Sequence, residues 1–165
     1  MNDVLVLYID TGVGGFTNTS GFADNSGTLQ SAVSGYSSSG RSVLTMSPGF
    51  APDYAIALGP TAGPGGGLWR LANGGSGSLI FSNSINLTPL NTATAYAYAF
   101  SFDVRDIGLT PKSGATFKLF GTYVSNTGYR STEAVAGNDT GTQGWNPFSN
   151  TATSSYTIQA IFSNR

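Results

Sequence analysis

The chain has 165 residues, a net charge of −1, only 9% charged residues, and neither histidine nor cysteine. Without imidazole or thiol groups it cannot form a Ser-His-Asp or Cys-His catalytic system, a disulfide or a thiolate metal site. Its seven basic residues are scattered singly, which argues against a nucleic-acid partner, and no apolar run approaches the roughly 20 residues that span a bilayer. The length predicts a single domain over residues 1–165.

The first predicted element is a strand at Val4–Ile9, where all six residues are apolar. Apolarity without alternation predicts a central strand that is buried on both faces. Such a strand needs a neighbour on each side. Either later strands supply both neighbours, or an N-terminal strand is absent and a second copy of the chain adds a strand at the Val4–Ile9 edge.

The next predicted elements are short. Thr28–Ser34 predicts two helical turns, capped by Asp24 or Asn25. Tyr54–Leu58 predicts a strand. Two more predicted strands, Leu68–Leu71 and Ser78–Phe81, flank a hairpin turn at Asn73-Gly74-Gly75.

Alternation is clearest in the second half of the chain. Within Ala93–Val104, aromatic residues at 96, 98, 100 and 102 alternate with small residues, which predicts a strand with one aromatic face. Arg105–Gly108 predicts a single helical turn. Thr116–Ser125 predicts a strand with Phe117, Leu119 and Tyr123 on one face, and a final strand carries Tyr156, Ile158, Ala160 and Phe162. These elements predict an all-β fold, an antiparallel β-sandwich of the jelly-roll or DOMON-like kind with seven to nine strands and at most one short helix.

Three segments in this order, Leu7–Gly15 (LYIDTGVGG), Asp53–Leu58 (DYAIAL) and Ser101–Leu109 (SFDVRDIGL), resemble DOMON-like β-sandwiches related to family-9 carbohydrate-binding modules. Gly128–Glu133 and Gly141–Pro147 resemble secreted bacterial surface proteins that carry such domains. The resemblance implies an extracellular or cell-surface location and sugar rings stacked on aromatic side chains. Such domains have one or two strands before the first segment, and their absence here favours a chain that lacks its N-terminal strand.

Two tryptophans are candidates for sugar stacking. Trp145 lies in a polar loop beside Gln143 and Asn146, where a core position is hard to explain, whereas Trp69 lies within a predicted strand and is more simply a core residue. After the strand that ends near Ser125, three more residues could bind hydroxyl groups. They are Tyr129, Arg130 and Glu133. The alternative for these three is a solvated loop with a weak Arg–Glu pair.

Carboxylates are few. Asp10, Asp24 and Asp139 could supply oxygen ligands to calcium, although single aspartates in Gly-rich turns usually cap backbone N–H groups. No other cofactor is indicated, because the sequence has no Walker loop and no Gly-x-Gly-x-x-Gly motif. A two-carboxylate glycosidase would have to pair the single glutamate, Glu133, with Asp139 or Asp106.

The sequence therefore predicts a non-catalytic extracellular module that binds a polysaccharide or glycan through loop aromatics. A structural alternative is a subunit of an extracellular fibre or surface layer, in which the Val4–Ile9 edge mediates self-association by strand addition. A weak glycosidase that depends on Glu133 is a third hypothesis.

Overall fold

The structure is a computed structural model that describes residues 3–59, 65–71, 79–89 and 98–158. These residues contain one α-helix, α1 (Thr28–Ser34), and one 3-10 turn (Val104–Ile107). They also contain twelve strands: β1 (Asp3–Asp10), β2 (Tyr36–Ser37), β3 (Gly40–Arg41), β4 (Val43–Thr45), β5 (Tyr54–Leu58), β6 (Gly66–Arg70), β7 (Ile80–Pro89), β8 (Tyr98–Ser101), β9 (Thr116–Ser125), β10 (Arg130–Val135), β11 (Gly137–Gly141) and β12 (Pro147–Thr157).

Ten of these strands join in one sheet with the order β11-β12-β9-β1-β5-β6-β7-β8, in which β10 pairs with β9 and β4 with β12. β2 and β3 form a separate hairpin. The predicted all-β class with one short helix is confirmed for the described residues. The predicted count of seven to nine strands was too low, because strands as short as β2, β3 and β4 carry too few residues to show a period. The β4–β12 pair is parallel, and the strand order does not clearly reproduce a jelly roll.

β1 is the central strand, as its continuous apolarity predicts. It pairs antiparallel with β5 on one side and with β9 on the other, so that Leu7 lies between Ile56 and Gly121. Val4–Ile9 is therefore not an open edge. The structure corrects the prediction that a second copy adds a strand at this segment. β5 and β9 of the same chain already make the backbone hydrogen bonds on the two sides of β1.

The alternating side chains of β1 feed two apolar clusters on opposite faces of the sheet. Val4, Val6 and Tyr8 belong to one cluster; Leu5, Leu7 and Ile9 belong to the other. The first cluster is covered by α1 and by large side chains from several loops and strands: Phe22, Leu44, Met46, Phe50, Phe120 and Phe148. The second is lined mainly by Ile56, Leu58, Leu68, Ile85 and Ile107.

α1 has the predicted bounds, but its predicted cap is wrong. Gly27 is the N-cap and gives no side-chain hydrogen bond, while the carboxylate of Asp24 instead accepts hydrogen bonds from the Ser26 backbone and hydroxyl. The helix ends at Gly35, which has a φ of 60°. Its Val33 carbonyl accepts a 2.7 Å hydrogen bond from the buried Tyr8 hydroxyl, which ties the helix to the sheet.

Several predicted strands are confirmed. β5 and β9 have the predicted bounds, and Phe117, Leu119 and Tyr123 of β9 pack against the second cluster while Phe120 and Val124 belong to the first. β6 overlaps the predicted strand Leu68–Leu71, whereas β7 begins at Ile80 and shares only two residues with the predicted strand Ser78–Phe81. β12 begins at Pro147, earlier than the predicted strand. Of the predicted 93–104 strand, β8 is described, and residues 93–97 lie outside the described residues, as do Asn73–Gly75 and residues 159–165. Within the described part of the chain no helix is long and apolar enough to cross a membrane.

Candidate functional site

Tyr129 and Trp145 form an exposed aromatic pair, here called the aromatic corner. Their ring centroids are 5.4 Å apart and the ring planes are inclined at 84°. Trp145 is 45% exposed and Tyr129 is 38% exposed. The predicted exposure of Trp145 is thus confirmed, and the structure brings it together with one of the other predicted binding residues.

The backbone places the two rings side by side. Arg130 donates its N–H to the Gly144 carbonyl at 3.1 Å, and Gly144 donates to the Arg130 carbonyl at 2.9 Å. Because this bridge is antiparallel, the residue before Arg130 lies opposite the residue after Gly144. These residues are Tyr129 and Trp145.

A tight turn presents Tyr129. Gly128, with a φ of 75°, follows Ser125, whose carbonyl accepts its N–H at 3.0 Å. A Cβ at Gly128 would lie 2.8 Å from the Gly35 carbonyl group, so only glycine fits this approach to the end of α1.

The indole of Trp145 is held in place from two directions. Its Nε1–H donates to the Thr127 carbonyl at 2.9 Å, and the same carbonyl accepts from the Ser37 hydroxyl at 2.7 Å. Gly40 of the β2–β3 hairpin lies directly against the indole, because a Cβ there would fall 2.6 Å from Trp145 Cγ. The side chain is therefore fixed before any ligand arrives.

Polar side chains border the corner. The side-chain amide of Asn146 donates to the Thr142 and Gln143 carbonyls at 3.2 Å each, which holds the residue after Trp145. Gln143 and Asn146 are both exposed. Glu133 is exposed on β10. Its carboxylate accepts a hydrogen bond from the Ser131 hydroxyl, and its backbone N–H donates to the same hydroxyl oxygen.

The prediction that Arg130 contacts a ligand is wrong. Its side chain is fully buried, and Arg130 pairs with the buried Val124 of β9. Its guanidinium carbon lies 5.8 Å from the Phe148 ring centroid. The alternative, a solvated loop with an Arg–Glu pair, is also wrong, because residues 130–135 form β10 and Glu133 is exposed while Arg130 is buried.

Arg130 belongs instead to a buried polar cluster. None of its three guanidinium nitrogens has a hydrogen-bond partner among the described residues, and the same holds for one carboxylate oxygen of Asp139 and the hydroxyl of Ser42. Burial raises the pKa of Asp139 above its ordinary value, and the positive charge of Arg130 opposes this shift without cancelling it.

For Trp69 the structure confirms the simpler alternative, a core residue, and corrects its candidacy as a ligand contact. It is 3% exposed, belongs to the first apolar cluster and makes an edge contact with Phe81 at 5.9 Å. Its position inside a strand, facing the core, explains this burial.

The three predicted calcium ligands do not meet. Asp10 accepts from the N–H groups of Gly12 and Ala51 at 2.8 and 3.1 Å, which is the capping role that its turn predicts. Asp24 is engaged with Ser26, and Asp139 lies beside Arg130. Among the described residues no three His, Cys, Asp or Glu side chains form a group that could hold a metal ion.

The structure also contains a concave site that the sequence did not predict. A cleft of about 180 Å³ lies between the turn that follows β1 and the turn that follows the 3-10 helix. Its polar lining includes Thr11, Asp53, Tyr54 and Arg70. Asp53 and Tyr54 stand in one of the segments that carry the family resemblance, but nothing in their spacing shows that Arg70 joins them across β5 and β6.

Comparison with protein-family models, with curated proteins and with solved structures finds no match to this chain.

Proposed function

We propose that this chain is a non-catalytic extracellular module that binds carbohydrate at the aromatic corner. The observation that carries the proposal is Trp145, an indole that is 45% exposed although a hydrogen bond and a close packing contact hold it. A large apolar surface left open and already immobilised loses little conformational entropy when a ligand covers it.

The chemistry of a sugar ring suits this surface. One face of a pyranose presents C–H groups that pack on an aromatic ring, while its hydroxyl groups require polar partners at the edge. The Nε1–H of Trp145 is already bonded to Thr127, so the indole is a stacking surface and not a donor to the ligand. Gln143 and Asn146, both exposed beside it, supply the polar edge.

The angle between the two rings restricts the kind of glycan. At 84° the rings of Tyr129 and Trp145 cannot both lie flat on one plane. The flat surface of a crystalline polysaccharide therefore contacts at most one of them face-on. A single chain or a chain end, which can enter the angle, gains contact with both.

The finer architecture belongs to the same proposal. A DOMON-like sandwich related to family-9 carbohydrate-binding modules is supported by the placement of the three resembling segments, which fall at the end of β1, on β5 and around the 3-10 turn. All three contribute to the cleft of about 180 Å³. The alternative of a fibre subunit loses one of its supports, the Val4–Ile9 edge, because β1 has a neighbour on each side.

Binding of the purified chain to a panel of soluble oligosaccharides and insoluble polysaccharides, followed by calorimetry on the hits, tests the proposal. We expect Trp145→Ala to weaken binding at least about tenfold, the equivalent of a 1.4 kcal/mol stacking contribution. Tyr156→Ala is the matched control, because Tyr156 is 43% exposed and stacks on Phe117 rather than on Trp145.

Two results contradict the proposal: no binding to any member of the panel, or binding that Trp145→Ala leaves unchanged. Release of sugar from the same panel contradicts the non-catalytic part alone, and Glu133→Gln then tests the glycosidase hypothesis. Circular dichroism of each variant separates loss of the contact from loss of the fold.

A further inference from the structure

The cleft of about 180 Å³ is separate from the aromatic corner. It begins at Thr11, directly after the last residue of β1, whereas the first residue of β1, Asp3, pairs with Ser125, the last residue of β9, from which a turn leads to Tyr129. A strand of this length spans roughly 25 Å at about 3.4 Å per residue. The two sites therefore lie toward opposite ends of β1.

One wall of the cleft carries an oriented carboxylate. Asp53 accepts the Thr11 N–H at 2.9 Å and also accepts the Thr11 hydroxyl. These two bonds fix the carboxylate and leave its remaining lone pairs for other donors. Burial raises the pKa of Asp53, and the nearby Asp10 adds to that shift. The group is thus partly desolvated, a condition that strengthens a hydrogen bond from a ligand.

The other wall carries donors without partners. Arg70 lies directly opposite Tyr54 in the β5–β6 register, so both side chains stand on the same face. Neither the Arg70 guanidinium nor the Tyr54 hydroxyl makes a hydrogen bond within the described part of the chain. Arg70 is exposed and Tyr54 is half-buried.

Gly108 borders the cleft. Gly108 has a φ of 75°, and a Cβ there would lie 3.7 Å from the Tyr54 hydroxyl. A larger side chain at this position would add atoms beside the phenol. Ile107 is buried beside it and Val13 is 71% exposed at the rim, so apolar atoms face the polar groups.

We propose that this cleft is a second binding site, which takes one uncharged pyranose ring. Its volume is below the roughly 300–1,000 Å³ of pockets for larger ligands, which limits the occupant to about one ring. One guanidinium and one carboxylate balance each other, so the site favours a neutral ligand over a phosphate or an amine. Sugar hydroxyls both donate and accept, matching Asp53 as acceptor and Arg70 as donor. Val13 and Ile107 supply contact for ring C–H groups.

The ring can come from a free monosaccharide or from the end of a longer glycan, and the experiment separates these sources. The full chain, labelled with ¹⁵N, is titrated with D-glucose, D-galactose, D-mannose and D-xylose, and then with their β-1,4-linked oligomers. The backbone amides of Thr11 and Gly108 report on the cleft, and the Trp145 indole N–H reports on the aromatic corner. A shift at the cleft with monosaccharides assigns a free-ring site, and a shift with oligomers alone assigns a chain-end site.

We expect Arg70→Gln and Gly108→Asn each to weaken the cleft response at least tenfold, the first by removing a charged donor and the second by filling the cleft with a residue that tolerates a positive φ. Arg105→Gln is the matched control, because Arg105 is equally an exposed arginine and pairs with Asp103. Trp145→Ala should leave the cleft response intact.

The inference is overturned if no sugar of either set shifts the Thr11 and Gly108 amides, or if Arg70→Gln and Gly108→Asn leave those shifts unchanged. It is also overturned if Trp145→Ala abolishes them, because the shifts then report the aromatic corner. Failure at the corner with a response at the cleft contradicts the proposed function and supports this site, so the two outcomes are distinguishable.

Discussion

Arg130 and Gly144 exchange two backbone hydrogen bonds, and this bridge brings Tyr129 against Trp145. The same residue that aligns the aromatic corner turns its own side chain into the core, where the guanidinium is fully buried. The surface that could bind a ligand and the buried polar cluster are therefore the two faces of one short segment. Changes on either face have separable consequences.

Gly40→Ala should damage the aromatic corner without unfolding the protein. The new Cβ would lie 2.6 to 2.9 Å from three atoms of the indole, so Trp145 must shift and its bond to Thr127 must lengthen or break. We expect a displaced indole N–H resonance and at least about tenfold weaker binding of any glycan that the corner binds. Gly27→Ala is the control, because the nearest atoms to its new Cβ are those at the end of the long Gln30 side chain, which can change rotamer. An unchanged indole signal in Gly40→Ala contradicts the prediction.

Arg130→Met and Asp139→Asn should each cost little stability. The guanidinium has no hydrogen-bond partner among the described residues, so an apolar side chain of similar length gives up little and avoids burying a charge. We expect the free energy of unfolding to change by less than about 1 kcal/mol for either substitution, because burial already disfavours the ionised Asp139 more than the charge of Arg130 favours it. Urea denaturation measures both. A loss of more than about 2 kcal/mol in either variant shows instead that attraction between Arg130 and Asp139 holds the cluster together.

The sequence predicted those parts of the fold in which one pattern has one explanation. Six consecutive apolar residues in β1 indicated burial on both faces, and the strict alternation in β9 assigned Phe117 and Phe120 to opposite sides. Alternation alone does not say which face is inside. No apolar residue marks an inner face at residues 129–131. The burial of Arg130 therefore depends on its pairing with Val124 in the folded sheet, which is a tertiary contact.

The aromatic corner could be predicted in part from local sequence, whereas the cleft could not, because it depends on tertiary contacts. Trp145 stands between a glycine and a proline in a polar loop, and this local context was enough to predict its exposure. The cleft depends on residues from β5, β6 and two turns, and Arg70 reaches Tyr54 only through strand register. No local pattern encodes such a pairing.

Acidification should stabilise the protein through Asp53. Its pKa is higher in the folded chain than in the unfolded chain, mainly because of burial, so the folded state holds the proton more tightly. As the pH rises, the carboxyl ionises first in the unfolded chain, where its pKa is about 3.9. The stabilising contribution is complete below this pKa and is lost as the pH rises through the higher pKa of the folded chain. We therefore expect the wild-type chain to gain stability relative to Asp53→Asn as pH falls from about 7 to about 4.

Urea denaturation of both proteins at several pH values measures this difference. Asp103 titrates in the opposite sense, because its hydrogen bond from the Arg105 backbone lowers its pKa, but it is present in both chains and cancels in the comparison. A difference between wild type and Asp53→Asn that is constant with pH, or that changes in the other direction, contradicts the assignment of a raised pKa to Asp53.

Tyr8→Phe should lower the free energy of unfolding by about 1–2 kcal/mol. The hydroxyl is fully buried and donates to the Val33 carbonyl near the end of α1, and its removal leaves that acceptor without its donor. Tyr54→Phe removes a hydroxyl that has no partner within the described residues, so it should change the free energy of unfolding by less than about 0.5 kcal/mol. Equal effects of the two substitutions, measured by urea denaturation, would show that α1 does not depend on Tyr8 for its attachment to the sheet. A loss confined to Tyr8→Phe, with faster amide exchange in α1, assigns the stabilisation to this bond.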